Sequence, residues 1–313
     1  MEAIKIKNLI KKYKNGVVAL NDFNLYVKQG EVFSLLGPNG AGKSSLLNIL
    51  STYYTPTSGE VEILGKDVVA DAKEIRQCIA CVAQKISIDE HLSLFDNMKF
   101  QSRLYGISKN LAQERIKMLV DCFGLKEYLK YPVISYSGGI KRRLDIAMNM
   151  VSMPRILFLD EPTVGMDVES RKMLWDMIDK IKNMYGTTIF LTTHYLEEAD
   201  QLSDTICIMK EGKEIVQDTP ENLKLFIKQN LIKITFPNEI MCKKANDILI
   251  RKHSLYRKEK FFLYLKVGEK DFYEINKELL ADGIDFSGLE IVTPSLEDVF
   301  LFMTDSRKEG ISL

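Results

Sequence analysis

The sequence lacks a long apolar segment, an excess of charge of either sign and a disulfide-type set of cysteines. No apolar run approaches the roughly 20 residues that cross a bilayer, and the N-terminal segment Met1–Lys5 lacks the apolar stretch of a secretory signal. Basic and acidic residues number 43 each, so electrostatics do not favour nucleic acid or an anionic membrane surface as the main partner. We therefore expect no nucleic-acid partner, and any contact with a membrane to pass through another protein.

Five cysteines, an odd number, are scattered along the chain and do not resemble a disulfide framework. Cys78 and Cys81 form a C-x-x-C pattern, which can mark a metal or redox site. No second pair follows, however, and the pattern lies in the apolar run 79–83. We interpret both cysteines as small core residues of a strand in a protein of the reducing cytosol.

Length and hydrophobic periodicity together predict one large α/β domain followed by a smaller one. Apolar residues alternate as in antiparallel strands up to about residue 35, follow helical spacing over about 88–150, and then mark alternating strands and helices. This order predicts a parallel sheet with an antiparallel β subdomain and an inserted helical subdomain. Because Pro220 suits a helix start, we assign residues 1–219 to the first domain and 220–313 to a C-terminal accessory α/β domain.

A complete G-x-x-x-x-G-K-[ST] pattern stands between an apolar strand, residues 32–36, and a helix-like run, residues 44–50. Its glycines let the backbone wrap around a phosphate chain, with amide N–H groups and the helix N-terminus directed at anionic oxygens. Lys43 supplies a positive charge for the β- and γ-phosphates, and the Ser44 hydroxyl can ligate Mg²⁺. The flanking elements disfavour an ordinary glycine-rich turn, so we predict that the chain binds a nucleoside triphosphate. The loop comprises Gly37, Pro38, Asn39, Gly40, Ala41, Gly42, Lys43 and Ser44.

A second chemical feature is the apolar run 156–159, which ends in Asp160 and Glu161. Carboxylates at the C-terminal end of a parallel strand lie in the crevice where ligands bind. We expect Asp160 to hold Mg²⁺ and Glu161 to polarise the water that attacks the γ-phosphate. Alone the pair is weak evidence, since many strands end in solvent at charged residues. The upstream phosphate loop favours the catalytic interpretation.

Ser137, Gly138 and Gly139 open a predicted helix and form a second candidate anion site, which combines exposed N–H groups with the helix dipole. Taken alone, the segment could be a simple helix cap with flexible glycines. The chain already has one phosphate loop and one catalytic strand. We therefore interpret the second site as binding the γ-phosphate of a nucleotide held by a neighbouring subunit.

Over residues 1 to about 218, the chain resembles the ATP-binding subunits of ABC transporters, with these motifs in the same order. The resemblance makes the phosphate loop Walker A, Ser137 to Gly139 the signature motif, and Asp160 and Glu161 Walker B with its catalytic glutamate. By itself each further match has an ordinary explanation, such as a surface aromatic, a polar strand end or a helix cap. Those further matches are Tyr13, which stacks on adenine, Ser45 at the end of Walker A, Gln84 of the Q-loop, which contacts Mg²⁺ and the transmembrane partner, Asp167 of the D-loop, and the switch histidine His194.

The resemblance implies a P-loop NTPase fold with a RecA-like parallel sheet, and an ATPase that uses ATP and Mg²⁺. Its catalytic residues would be Lys43, Gln84, Glu161 and His194. The implied partners are a second ATP-binding subunit, in a homodimer, and a separate transmembrane permease of the ABC-2 type. The implied location is the cytoplasm, peripheral on the inner face of the cell membrane.

Two departures narrow the resemblance. Tyr136 and Ile140 replace the leucine and glutamine of the usual Leu-Ser-Gly-Gly-Gln signature, and three basic residues follow. This form, and the ending Ser295–Leu301, resemble the daunorubicin-resistance exporters of the ABC-2 class. The γ-phosphate contacts of Ser137 and the backbone are unaffected by these changes. Whether the side chain at position 140 contacts the ribose of the nucleotide held by the other subunit is left open.

Other ABC functions fit the sequence less well. An import or lipid-extraction subunit is disfavoured by the signature and by the C-terminal appendage. A soluble ABC protein of ribosomes or DNA usually carries two cassettes or long coiled coils, and this sequence has one cassette and no heptads. The cargo, whether drug, antibiotic, lipid or ion, is selected by membrane subunits and is not encoded here.

The helical block of residues 88–135 follows Gln84, and the resemblance makes their junction a groove for a short helix of the membrane subunit. Such a groove presents apolar and aromatic side chains. The candidates are Leu92, Phe95, Met98 and Tyr105, some of which we expect to face the core of the block itself.

Overall fold

The computed structural model of the chain divides into two compact units, Met1–Pro220 and Glu221–Leu313. The residues that it describes are 1–226, 231–251, 253–266 and 271–304. The first unit contains, in chain order, β1 (Glu2–Lys12), β2 (Val18–Lys28), β3 (Val32–Leu36), α1 (Lys43–Leu50), β4 (Ser58–Ile63), β5 (Lys66–Asp67), α2 (Ala72–Cys78), β6 (Ile79–Val82), α3 (Leu94–Leu104), α4 (Lys109–Cys122), α5 (Gly138–Met150), β7 (Ile156–Asp160), α6 (Val168–Tyr185), β8 (Thr188–Thr193), α7 (Leu196–Leu202), β9 (Thr205–Lys210) and β10 (Lys213–Asp218). Then come α8 (Pro220–Leu225), β11 (Leu231–Thr235), α9 (Glu239–Leu249), β12 (Ser254–Lys258), β13 (Phe262–Lys266), α10 (Asp271–Ala281), β14 (Gly288–Val292) and α11 (Leu296–Thr304).

A six-stranded sheet lies at the centre of the first unit, in the order β10-β9-β3-β8-β7-β6. The strands from β9 to β6 are parallel, and β10 pairs antiparallel at one edge. Every residue of β3 is buried, which is why this strand is a nearly continuous apolar run. Because β3, β8 and β7 are neighbours, their carboxyl ends bring the loop after Leu36, Asp160 and the segment after Thr193 to one edge of the sheet. The predicted parallel sheet is confirmed.

The central sheet is covered on both faces. An antiparallel sheet of order β2-β1-β4-β5 shares one core with α1 and with Phe33, Phe158 and Phe190 of the central sheet. On the opposite face, Leu157 and Leu159 pack in a second core with buried residues of α3, α4, α5 and α6. Alternation along β7 therefore supplies apolar side chains to both layers, and the predicted antiparallel and helical subdomains are confirmed.

The second unit is a ferredoxin-like βαββαβ fold. Its sheet has the order β12-β13-β11-β14, and each neighbouring pair of strands is antiparallel. Buried residues of α9 and α10 pack on one face of this sheet, against side chains such as Ile232, Ile234 and Leu265. Local patterns predict β11, β13 and β14 but not β12, because a bulge between Leu255 and Arg257 breaks the alternation of that strand.

The structure corrects the interpretation of the C-x-x-C pattern. Cys78 ends α2 and is half-buried, and Cys81 is exposed on β6. β6 is the edge strand, and its alternation buries Ala80 and Val82 while Cys81 faces the other way. The prediction that both cysteines are core residues is therefore wrong.

As for membrane crossing, the helices of the described ranges are all too short or too polar to span a bilayer.

Candidate active site

The phosphate loop joins β3 to α1 and wraps so closely that two of its positions accept only glycine. A Cβ atom on Gly42 would lie 2.5 Å from the carbonyl oxygen of Ala19, and one on Gly37 would lie 2.6 Å from that of Met209. Gly42 is also left-handed, with φ of 112°. As the N-cap of α1, it has no side chain to occupy the first N–H groups of the helix. Those amides are therefore available to an anionic ligand.

The Lys43 side chain lies inside this loop. Its Nζ donates to the carbonyl oxygens of Gly37 at 2.7 Å and Pro38 at 3.2 Å, and it lies 3.7 Å from Glu161 Oε1. Burial lowers the pKa of Lys43, and the carboxylates of Glu161 and Asp160 partly oppose that effect. A buried cation thus stands where the loop wraps around its ligand.

Thr192 of the neighbouring strand holds both acidic residues at the end of β7, one by its side chain and the other by its backbone. The Thr192 hydroxyl donates to Asp160 Oδ1 at 2.6 Å and accepts from the Glu161 backbone N–H at 3.1 Å. The same N–H also donates to the Thr192 carbonyl at 3.1 Å. Glu161 has a left-handed φ of 43°, a conformation that costs a non-glycine residue about 1–3 kcal/mol. Thr192 thus orients the Asp160 carboxylate and holds the strained backbone of Glu161.

Sequence reasoning missed Thr192. The available signal was the pair of threonines that follows three apolar residues at the end of the strand Thr188–Thr193. A hydroxyl buried there needs a hydrogen-bond partner, and the adjacent acidic strand end supplies it.

Three polar groups from separate segments meet the Glu161 carboxylate. His194 Nδ1 lies 3.2 Å from Oε1, Gln84 Nε2 donates to Oε2 at 3.4 Å, and Lys43 approaches Oε1 as described. The structure therefore brings together all four residues that the sequence predicted to be catalytic.

A cavity of about 490 Å³ opens between the phosphate loop and these acids, within the range of about 300–1,000 Å³ that is usual for small-molecule sites. Gly37, Pro38 and Ala41 shape the loop without lining the cavity, and the Ala41 N–H donates to the Pro38 carbonyl at 3.2 Å. The predicted residues that do line it are Tyr13, Asn39, Gly40, Gly42, Lys43, Ser44, Ser45, Gln84, Asp160 and Glu161.

Tyr13 stands at the wall of this cavity. Its hydroxyl is 2.9 Å from Ser45 Oγ, and its ring meets Tyr54 edge to face at 6.0 Å between centroids. Lys11 Nζ lies 5.4 Å and 5.2 Å from the centroids of these two rings. The tyrosine ring is thus packed and hydrogen-bonded, and its stacking on adenine stays a prediction.

The signature residues lie at the start of α5. Ser137 is the N-cap and accepts from the Ile140 N–H at 3.4 Å. At Gly138 a Cβ atom would meet nothing within 4 Å, whereas at Gly139 it would lie 2.6 Å from Ser170 Oγ. None of the three signature residues lines the cavity beside Lys43 in the described part of the chain.

Asp167 of the predicted D-loop likewise lies outside that cavity. It caps α6, where hydrogen bonds from the backbone N–H and the hydroxyl of Ser170, both 2.8 Å, hold the pKa of Asp167 below its usual value. Within one chain, the structure therefore brings together the Walker residues, Gln84 and His194. Of the signature motif, Gly138 lines a separate cavity of about 80 Å³ with Gln84 and Glu161, and Ser137, Gly139 and Asp167 line neither of these two cavities.

The residues present fit both a nucleotide and a magnesium ion. The glycine cradle, the α1 amides and Lys43 match a phosphate chain. The Ser44 hydroxyl and the Asp160 carboxylate line the cavity beside them. Mg²⁺ prefers such hard oxygen ligands and usually takes one or two from the protein and others from phosphates and water.

The chain matches the ABC transporter family over residues 20–164. It is 35% identical to the doxorubicin resistance ATP-binding protein DrrA of Mycobacterium tuberculosis, with 99% of this chain and 96% of the relative covered. It is 40% identical to the daunorubicin/doxorubicin resistance ATP-binding protein DrrA of Streptomyces peucetius, with 74% and 70% covered.

Two solved structures share the fold. The first is cbiO1 from Clostridium perfringens, part of an ABC transporter complex, with 26% identity, a TM-score of 0.67 and coverage of 80% of this chain and 96% of that chain. The second is an ATP-binding cassette solved as a dimer bound to ADP and Pi in a post-hydrolysis state, with 27% identity, a TM-score of 0.61 and 69% and 98% covered.

Proposed function

The chain belongs to the ABC transporter family of ATP-binding proteins, and we propose that it hydrolyses ATP as a homodimer to drive export through a separate transmembrane subunit of the ABC-2 type. It would act as a peripheral protein on the inner face of the cell membrane. Its relatives named for daunorubicin and doxorubicin resistance support the exporter assignment. The observation that carries the catalytic part is the convergence of Lys43, Gln84 and His194 on the Glu161 carboxylate, beside a glycine-lined phosphate cradle.

The geometry suits phosphoryl transfer to water. The loop amides and Lys43 bind the β- and γ-phosphates of ATP, which draws the lysine away from the carbonyl oxygens that it now contacts. Ser44, Asp160 and Gln84 would hold a Mg²⁺ ion, whose charge would neutralise the phosphate oxygens. Glu161 orients the attacking water and accepts its proton. His194, 3.2 Å from the same carboxylate, keeps that carboxylate directed into the site.

A second subunit completes the site. Ser137, Gly138 and Gly139 open α5 with exposed N–H groups but do not line the cavity beside Lys43 in the described part of the chain, so the γ-phosphate that they bind belongs to ATP on the partner. The dimer of the related cassette with ADP and Pi supports this arrangement. The composite site also explains why one chain carries two anion-binding helix starts.

The dimer is tested by sizing the Glu161→Gln variant with and without ATP. Without the base, bound ATP persists and should trap a dimer. Gly138→Asp is the matched second change, because the structure has open space for its side chain in the same chain while its carboxylate would repel the partner's nucleotide. We expect the double variant to stay monomeric with ATP. If it dimerises like the single variant, the signature helix does not face the nucleotide.

Coupling to the membrane subunit needs an exposed apolar surface on the helical block. Some members of the predicted set face the core of the block, as expected: Met98 is buried. Leu92 and Tyr105 are half-buried, and the Tyr105 hydroxyl donates to Asn149 Oδ1 at 3.0 Å. The helical period turns Met98 inward with Leu94 and Ser102. Phe95 of the predicted set is exposed, and so are Phe100 and Leu104 of α3, the last by 66%.

We propose that the exposed apolar pair Phe100 and Leu104, one turn apart on the same face of α3, binds the transmembrane subunit. Phe100→Glu and Leu104→Glu should abolish co-purification with that subunit and export, while the isolated chain retains its ATPase activity. Val69→Glu, at an apolar side chain exposed by 51% elsewhere, is the control. If the α3 variants export like the control, the membrane subunit binds another surface. A chain that hydrolyses ATP but never co-purifies with a membrane protein from mild detergent would contradict the transport assignment itself.

A further inference from the structure

The three basic residues after the signature are all bound within their own chain. Lys141 Nζ donates to Glu90 Oε1 at 2.6 Å, and Arg143 donates to the carbonyl oxygen of Phe123 at 3.3 Å. Arg142 is only 2% exposed and donates to three backbone carbonyl oxygens. Of the three, Arg142 is the side chain that reaches the segments around Gln84 and Glu161, called the catalytic segments below.

The partners of Arg142 flank the residues that meet at Glu161. Nε donates to the Pro162 carbonyl at 3.1 Å, one terminal nitrogen donates to the Asp160 carbonyl at 3.0 Å, and the other donates to the Ala83 carbonyl. Ala83 precedes Gln84, and Asp160 and Pro162 enclose Glu161. A planar guanidinium presents its donors in a rigid fork, so one side chain sets the distance between these two segments.

A second bond from the same helix holds the other side of the Gln84 loop. Asp145, one turn after Arg142 on α5, accepts from the Ser87 hydroxyl at 3.0 Å through Oδ1. Its Oδ2 lies 3.7 Å from the Arg142 guanidinium, and both side chains are nearly fully buried. The signature helix therefore binds the Gln84 loop at Ala83 and again at Ser87.

We propose that Arg142 is a positioning residue that, together with Asp145, ties the signature helix to Gln84 and Glu161 of its own subunit. When α5 binds the nucleotide of the partner, its movement then repositions Gln84 and Glu161 in the same chain. This inference rests on the roles that the proposed function gives to Gln84 and Glu161. The proposal also gives a role to one residue of the basic run after the signature, Arg142, which does not line the nucleotide cavity.

Arg143 offers a matched control on the same helix. It too is buried, and its guanidinium lies 5.8 Å from the centroid of the Tyr128 ring. Phe123 and Tyr128, which Arg143 contacts, belong to the helical block and not to the segments around Gln84 and Glu161. Loss of Arg143 should cost stability without changing the geometry at Glu161.

The variants must avoid leaving a buried charge without a counter-ion. Arg142→Met is therefore combined with Asp145→Asn, since asparagine still accepts from Ser87. Arg142→Lys is the milder second variant, which keeps the charge and loses the fork. Arg143→Met is the control. The full-length chain is used throughout, with hydrogen exchange measured without nucleotide and ATP hydrolysis measured at varied ATP.

We expect faster exchange in peptides covering residues 83–90 and 160–166 in both Arg142 variants but not in Arg143→Met. We also expect kcat to fall by about tenfold or more in the double variant with KM changed less than about twofold, because small misplacements of catalytic groups are costly. The kcat of Arg142→Lys should lie between that of the double variant and that of the wild type. If exchange and kcat match those of Arg143→Met, Arg142 has no positioning role. Should the double variant fail to fold, the same comparison between Arg142→Lys and Arg143→Met decides the question.

Failure of the proposed function gives a different result. In that case the wild-type chain hydrolyses no ATP, or its hydrolysis survives Glu161→Gln. The exchange comparison does not depend on activity and still tests the link between α5 and the two segments.

Discussion

Glu161→Gln should have two opposite effects, weaker hydrolysis and tighter ATP binding. Glutamine keeps the shape of the side chain and its contacts with Gln84 and His194, but it cannot accept the proton of the attacking water. Removing a general base typically lowers turnover by about 10²- to 10⁴-fold. The same substitution removes the negative charge that lies 3.7 Å from Lys43 Nζ, and this frees the lysine for the phosphates.

The size of the binding effect follows from that distance. At 3.7 Å and an effective dielectric constant of about 20, the attraction between the two charges is about 4 kcal/mol. Both side chains are largely buried, with 7% and 14% exposed. Most of the attraction is offset, because the buried charge pair of the wild type has lost hydration and the glutamine amide still contacts the amine. We take about 1 kcal/mol as the remainder, which corresponds to about fivefold tighter ATP binding.

The assay pairs phosphate release with equilibrium binding of ATP, both on the purified chain. Glu211→Gln is the control, because Glu211 also has a left-handed backbone, with φ of 51°, but lies in the turn between β9 and β10. That variant should match the wild type in both measurements. Unchanged turnover in Glu161→Gln would refute the role of Glu161 as base. Weakened ATP binding would refute the view that Glu161 restrains Lys43.

Three further predictions concern the neighbours of Glu161. Lys43→Ala should abolish hydrolysis and greatly weaken nucleotide binding, since the loop loses its buried cation; binding assays and phosphate release measure both. Thr192→Val should lower turnover by about tenfold while ATP still binds, and Thr192→Ser, which keeps the hydroxyl, should keep the wild-type turnover. Thr188→Val is the control. It loses a hydrogen bond from the Gly30 N–H at the opposite end of β8 and should lower only the melting temperature. Chelation of divalent cations with EDTA should stop hydrolysis, and added Mg²⁺ should restore it in the wild type but not in Glu161→Gln.

The sequence by itself determined the local chemistry. The phosphate loop could be predicted because its glycine spacing is set by the close approach of the loop backbone to other backbone, as at Gly42 and Ala19. The strands β3 and β7 could be predicted because strands covered on both faces need apolar residues at successive positions. Capping residues such as Ser137 and Asp167 also act on N–H groups only three residues away, so sequence spacing alone indicates them.

Tertiary structure alone decided which of these local features meet. The adjacency of β3, β8 and β7 is a matter of sheet order, which periodicity does not encode, and it brings Lys43, Glu161 and His194 together. Thr192 and Arg142 escaped notice because their partners lie 18 to 59 residues away along the chain. A buried hydroxyl or guanidinium must find hydrogen-bond partners, but its sequence neighbours do not reveal which carbonyl or carboxylate the fold will place beside it.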